Sequence, residues 1–179
     1  MSSVEELMCR SAGEGDVAAV QACLAAGADP DALVEHASGG QAALHTATDG
    51  KHLACIETLL AAGAYADIRD AAGRTPLQLA AHGCCPACVA VLLAAGANPR
   101  AADSLGATAL HAAAQHVMSR YCFSSNLRVV RQLLAADASA ALLRDGLGRT
   151  PFEVAVLRQA ASMARVLLVE APQQPATSC

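Results

Sequence analysis

Polar and apolar positions along this chain fall into two kinds of short block. In one, apolar side chains recur at helical spacing, as in Val89, Val91, Leu92 and Leu93, and the block closes on Gly-Ala. It reads CLAAGA at Cys23 to Ala28, LLAAGA at Leu59 to Ala64 and at Leu92 to Ala97, and LLAADA at Leu133 to Ala138. Each predicts a helix with an apolar face. Gly27, Gly63 and Gly96 stand where a left-handed residue ends such a helix. The other block reads GRTPLQLAA at Gly73 to Ala81, GATALHAAA at Gly106 to Ala114 and GRTPFEVAV at Gly148 to Val156. Thr75 and Thr150 are helix N-caps, Pro76 and Pro151 take the first helical position, and Gln78 and Glu153 are placed to complete capping boxes. Ser3-Val4-Glu5-Glu6 has the same logic, so the chain starts directly on a helix.

The blocks alternate, and their spacing is regular: Leu44, Leu77 and Leu110 lie 33 residues apart. A period of this length predicts stacked supersecondary units. Within each, a helix pair cannot hide its apolar face alone, so stability comes from nearest-neighbour interfaces. Asp70-Ala-Ala-Gly73 and Asp103-Ser-Leu-Gly106 read as turns from one unit to the next. Two spacings depart from the period. About three extra residues widen the turn between Asp31 and Gly40, and Leu110 is followed only 42 residues later by Phe152. Most of the second surplus lies between His116 and Asn126, with Asn126 expected to cap the helix that resumes there.

These residues resemble the ankyrin repeat family, whose pattern runs roughly D-x-x-G-x-T-P-L-H-x-A-A, a turn, and a second helix ending L-L-x-x-G-A. The resemblance implies an all-α repeat solenoid, with helix-turn-helix units joined by β-turn or hairpin loops. It covers a single domain over residues 1–171, with repeats at about 4–36, 37–69, 70–102, 103–144 and 145–171. The last pair is read as a terminal cap, and 172–179 as a disordered tail. It further implies a non-catalytic protein that binds another protein through a concave face of turn tips and first helices. Carried over by position, that face holds Arg69, Arg74, His82, Leu105, Gln115, His116, Leu147, Arg149 and Arg158. His45 and His111, at the fourth position of T-P-L-H, are expected to hydrogen-bond backbone between turns.

The remaining chemistry narrows this reading. Apolar residues make up 54% of the 179, yet the aromatics are only Tyr65, Tyr121, Phe123 and Phe152, so the core must be built from small aliphatic side chains. Two of those aromatics sit in the insertion at 117–125, flanked by Arg120 and Arg128. Aromatic with arginine is hot-spot composition; the alternative is that the rings fold back to plug the stack. The net charge of −4, without a Lys/Arg cluster, disfavours nucleic acid and anionic membrane. Residues 75–99 carry no charged side chain, but Pro76, Gly83, Pro86, Gly96 and Pro99 break them too often for a membrane span. MSSVEELM lacks a secretory pattern, so an intracellular protein, cytoplasmic or nuclear and a monomer on its own, is expected. The arginines and histidines of the face suggest an acidic partner segment.

His82-Gly-Cys-Cys-Pro-Ala-Cys88 is the most chemical-looking stretch. As a zinc site it lacks a second ligand pair. As a redox motif, Cys-Pro-Ala-Cys resembles the C-x-x-C that opens a helix in thioredoxin-like proteins, but it falls inside a helical repeat rather than after a strand. Aligned with the other units, Cys85 shares a helix-cap column with Asp16, Cys84 stands where Gly15 does, and Cys88 is on the inward face. These are structural positions, with Cys85 a candidate reactive thiol. No catalytic motif, Gly-rich phosphate loop or metalloprotease pair is present, so no enzyme activity and no cofactor are expected. Besides partner binding, two readings stay open: a stoichiometric inhibitor or scaffold subunit of a complex, and a thiol-reactive or metal-binding protein acting through Cys84 to Cys88.

Overall fold

The predicted caps start the helices. In a computed structural model, which describes residues 3–36, 39–115, 123–158 and 161–170, the elements run α1 (Val4–Glu14), α2 (Val17–Ala25), β1 (Val34–His36), β2 (Gly39–Gln41), α3 (Ala43–Asp49) and α4 (Leu53–Ala61). They continue with α5 (Pro76–His82), α6 (Pro86–Ala94), α7 (Ala109–Gln115), α8 (Phe123–Ala136), a 3-10 turn (Ala138–Leu142), α9 (Pro151–Leu157) and α10 (Ala161–Glu170). Reciprocal capping boxes form at Ser3/Glu6, Thr75/Gln78 and Thr150/Glu153, satisfying backbone N–H groups that have no partner within the helix. Gly27, Gly63 and Gly96 are left-handed, with φ of 89°, 94° and 86°.

Consecutive helices pair, and the pairs stack. The odd-numbered helices α1 to α9 pack side by side in one layer and the even-numbered α2 to α10 in a second. Leu44, Leu77 and Leu110, one per unit, are buried to within 1% of complete, as are Ile56, Leu59, Leu92 and Leu133 on the facing helices. Each such leucine contributes about 2–3 kcal/mol of apolar burial, which a lone helix pair could not provide. The architecture is the expected all-α solenoid.

Two polar devices register the stack. His45 Nε2 lies 3.1 Å from the Arg74 carbonyl, Gln78 Nε2 donates to the Ala107 carbonyl, and His111 Nε2 lies 2.9 Å from the Arg149 carbonyl. One side chain at the third helical position therefore ties each unit to the loop of the next. At the turn tips the backbones also bond: Ala71 N–H to Gly40 O at 2.9 Å, Ser104 N–H to Ala72 O at 3.1 Å, and Gly146 N–H to Leu105 O at 2.8 Å. Those bonds form one ladder along the edge.

The structure fills in one expectation and departs from two. The widened turn at 31–40 is an antiparallel hairpin, with Val34 opposite Gln41 and His36 opposite Gly39. The second helix of the fourth unit starts at Phe123, not after a cap at Asn126; Asn126 lies inside the helix, buried, and its Nδ2 donates to the Ala113 carbonyl at 3.3 Å. The longer helix absorbs part of the insertion. The last pair, read as a cap, leaves Val156, Leu157, Leu168 and Val169 exposed, where a terminal cap presents polar residues. Residues 116–122 of the insertion region and the tail at 172–179 lie outside the described residues.

Candidate partner-binding site

Three turns build the site. Asp70, Asp103 and Asp145 each open one, and in each the carboxylate Oδ1 accepts the N–H groups two and four residues on: Ala72 and Arg74, Leu105 and Ala107, Leu147 and Arg149, all at 2.8–3.0 Å. This Asx geometry fixes the backbone of each tip. Leu105 and Leu147 project from successive tips and are each 75% exposed. Nothing in the local fold requires a leucine there.

The second carboxylate oxygen differs between turns. Arg74 closes on Asp70 Oδ2 through Nε at 2.8 Å and Nη2 at 2.7 Å, and Arg149 closes on Asp145 Oδ2 in the same fork. In the middle turn Ala107 takes the arginine's place, so Asp103 has no such partner. Burial alone would raise the Asp145 pKa, but the Arg149 guanidinium and the N–H groups of Arg149 and Leu147 outweigh it and hold it at about 2. Asp70 is lowered by the same balance.

Between the first helices of units three and four and the turns that run on to unit five lies an open groove of about 610 Å³. Leu79, Ala107 and Ala112 form apolar wall, Gln78 and Gln115 supply amides, and Leu105 and Leu147 flank the mouth. Of the residues predicted for the face, Arg74, His82, Leu105, Gln115, Leu147 and Arg149 come together here. Arg69 does not: its Nη1 donates to the Gly73 carbonyl at 2.9 Å and the Ala102 carbonyl at 2.5 Å, joining adjacent turns. Arg158 is exposed at the end of α9, outside the lining. His116 and Tyr121 lie outside the described residues, as does the Phe123 side chain, although its backbone opens α8. Cys85 sits elsewhere, at the N-cap of α6.

The expectation of a basic face loses its basis. Arg74 and Arg149 spend their charge on Asp70 and Asp145, and Asp103 and Asp145 also line the groove. Sequence reading missed those carboxylates as site residues. The signal was available in the alignment of the three turns, where aspartate always leads and only two have arginine four residues on.

His45, His52 and His111 are structural. His45 and His111 are fully buried, and burial lowers both pKa values. His52 Nε2 reaches the Gly13 carbonyl of the preceding unit at 3.1 Å. Among the described residues no three His, Cys, Asp or Glu side chains are grouped to hold a metal ion, and no helix is long and apolar enough to cross a membrane.

A family model described as ankyrin repeats in three copies matches residues 7–103 and, overlapping, 56–124. The chain belongs to the ankyrin repeat family. A comparison with curated proteins returns no match. Ankyrin repeats are generally protein–protein interaction modules and typically lack catalysis. The groove of this ankyrin repeat protein is open, and the Arg74 and Arg149 guanidinium groups at its edge are paired within their own turns. Two of its neighbouring tips carry exposed leucines.

Proposed function

We propose that this protein holds a partner protein, without chemistry of its own, by seating an apolar segment of that partner in the groove between Leu105 and Leu147. The observation that carries this reading is the pair of leucines, each three-quarters exposed on adjacent tips over an apolar wall. Isolated exposed leucines need no explanation, but two that bracket one groove form a patch. The paired arginines orient polar groups at its rim rather than attract an acidic partner, because each already faces a carboxylate.

Covering one leucine fully is worth about 1.5–3 kcal/mol, so losing both weakens binding by roughly a hundredfold or more. The test is to pan a displayed peptide library on the full chain and measure the selected ligands against the double variant Leu105→Glu/Leu147→Glu, with Leu168→Glu as control. Ligands lost with the double variant and kept by the control support the reading. Ligands that bind both variants as they bind the wild type refute it.

A further inference from the structure

Helix α6 opens on Cys85-Pro86-Ala87-Cys88, and the structure brings the two sulfurs together. Cys85 is the N-cap, and its Sγ accepts the Cys88 N–H at 3.4 Å. The same Sγ lies 2.7 Å from Cys88 Sγ. Both are free thiols. Their environments differ: Cys88 is completely buried, whereas Cys85 is only partly so and is the one a solute can reach. Lys51 stands alongside, in the matching turn of the preceding unit. Its Cε is 3.4 Å from where a Cβ on Gly83 would lie, and its positive charge acts on the Cys88 sulfur.

Geometry separates the two chemistries open to such a pair. Two thiolates on one zinc ion, each about 2.3 Å from the metal in tetrahedral array, stand about 3.8 Å apart and need further ligands. The sulfurs here are closer than that, and no third ligand joins them among the described residues. A disulfide needs about 2.05 Å, which the pair reaches by closing less than about 1 Å. The contact places the two sulfurs within reach of a disulfide. Cys84 is not a competitor, because it is buried with its Sγ turned toward the His82 carbonyl at 3.8 Å.

We propose that Cys85 and Cys88 form a two-electron redox pair, oxidised by a hydroperoxide to an intramolecular disulfide at the start of α6, with Cys85 attacking and Cys88 resolving. The Cys85 thiolate attacks the terminal peroxide oxygen; the O–O bond breaks, leaving Cys85 as the sulfenic acid and the peroxide's other oxygen as an alcohol or water once protonated. Cys88 sulfur then displaces the sulfenic hydroxyl. The S–O bond breaks, the S–S bond forms, the Cys88 proton leaves with the hydroxyl as water, and the two sulfurs have given two electrons to the peroxide.

The division of roles follows from the surroundings. Cys85, only partly buried, is the sulfur that a peroxide reaches first, and Cys88 lies buried against it. Burial, then the hydrogen bond with Cys85, push the Cys88 thiol up to about 12, so it stays protonated until a neighbouring sulfenic acid draws it in. The pair is independent of the groove, so either proposal can fail alone.

The test is to treat the full-length chain with hydrogen peroxide, block the remaining thiols after denaturation and map the products by tandem mass spectrometry. The expected wild-type product is a Cys85–Cys88 bond, formed roughly tenfold or more faster than any other cysteine oxidises. Cys88→Ser stops at a Cys85 sulfenic acid that dimedone traps, and Cys84→Ser leaves the Cys85–Cys88 reaction unchanged. The proposal is overturned if the wild type joins other cysteine pairs first, or oxidises its cysteines at similar rates. The wild-type product decides even if a variant fails to fold.

Discussion

Replacing His45 and His111 together by glutamine should remove a defined part of the protein's sensitivity to mild acid while leaving the fold intact. In the structure His45 Nδ1 accepts the Ala42 N–H at 3.3 Å, and His111 Nδ1 accepts the Thr108 N–H at 3.2 Å. Each ring must therefore carry its single proton on Nε2, which donates to the carbonyl of Arg74 or Arg149 in the next turn. A second proton would sit on Nδ1 in a fully buried site, facing an N–H at His45 and, at His111, an N–H beside the Thr108 hydroxyl at 2.9 Å. Burial is the main cause of the lowered pKa, and it outweighs the hydrogen bond to the Arg74 or Arg149 carbonyl, which acts the other way. The folded pKa lies below the unfolded one, so the unfolded chain takes up protons first as pH falls. The contribution of each ring is complete above about pH 6.5 and is lost as pH drops toward its folded pKa, at up to about 1.4 kcal/mol per pH unit. Two rings together give up to about 2.7 kcal/mol per unit. Gln78 shows that glutamine serves the same position, its Oε1 accepting the Thr75 N–H at 2.7 Å and its Nε2 donating to Ala107, with nothing to titrate. Urea unfolding followed by circular dichroism, at about pH 7.5 and about pH 5.5, should show the wild type losing more stability than the double glutamine variant, by up to about 2.7 kcal/mol. Asp70 and Asp145, whose folded pKa values are lowered, hold their contribution down to the carboxylate range near about pH 4 and do not enter this window. Equal losses in the two proteins would refute the neutral-imidazole argument.

Two further outcomes follow from the turns and caps. Ala42 occupies the cap position that Thr75 and Thr108 fill elsewhere, and both threonines are almost fully buried, so the site holds a hydroxyl; Ala42→Thr should stabilise the protein by about 0.5–1 kcal/mol in urea unfolding, and a loss of stability would show the second unit is packed differently. Gly106 and Gly148 share a left-handed backbone, with φ of 74° and 75°, but a Cβ on Gly106 would sit 2.7 Å from the Gly146 nitrogen, whereas one on Gly148 meets nothing within 4 Å. Both alanine variants incur about 1–2 kcal/mol of backbone strain, and Gly106→Ala should lose at least about 1 kcal/mol more through the broken tip ladder. Equal losses would mean the tips do not bear on each other.

The helices, their caps and the stack were legible in the sequence because they rest on short-range chemistry and on repetition. Thr75-Pro76-Leu77-Gln78 carries its own cap, first turn and core residue within four positions, and the same logic recurs along the chain. Cys85 could be placed at a helix start by comparing columns, and Cys84 in a left-handed position, where the structure gives φ of 52°. The insertion broke that comparison: with no sister unit of equal length, nothing marked Phe123 rather than Asn126 as the start of α8. The groove was half visible. Its leucines followed from position, but its charge did not, because counting arginines ignores where each guanidinium lands. Arg74 and Arg149 fold back four residues onto aspartates, while Arg69 bridges to a turn 33 residues away. Sequence by itself determined the solenoid, since repeating local signals leave one way to bury the apolar faces. Only the tertiary structure decided which polar groups remain for a partner, and that Cys85 and Cys88 lie within bonding reach, because those outcomes depend on distances between side chains set by stacking and turn geometry.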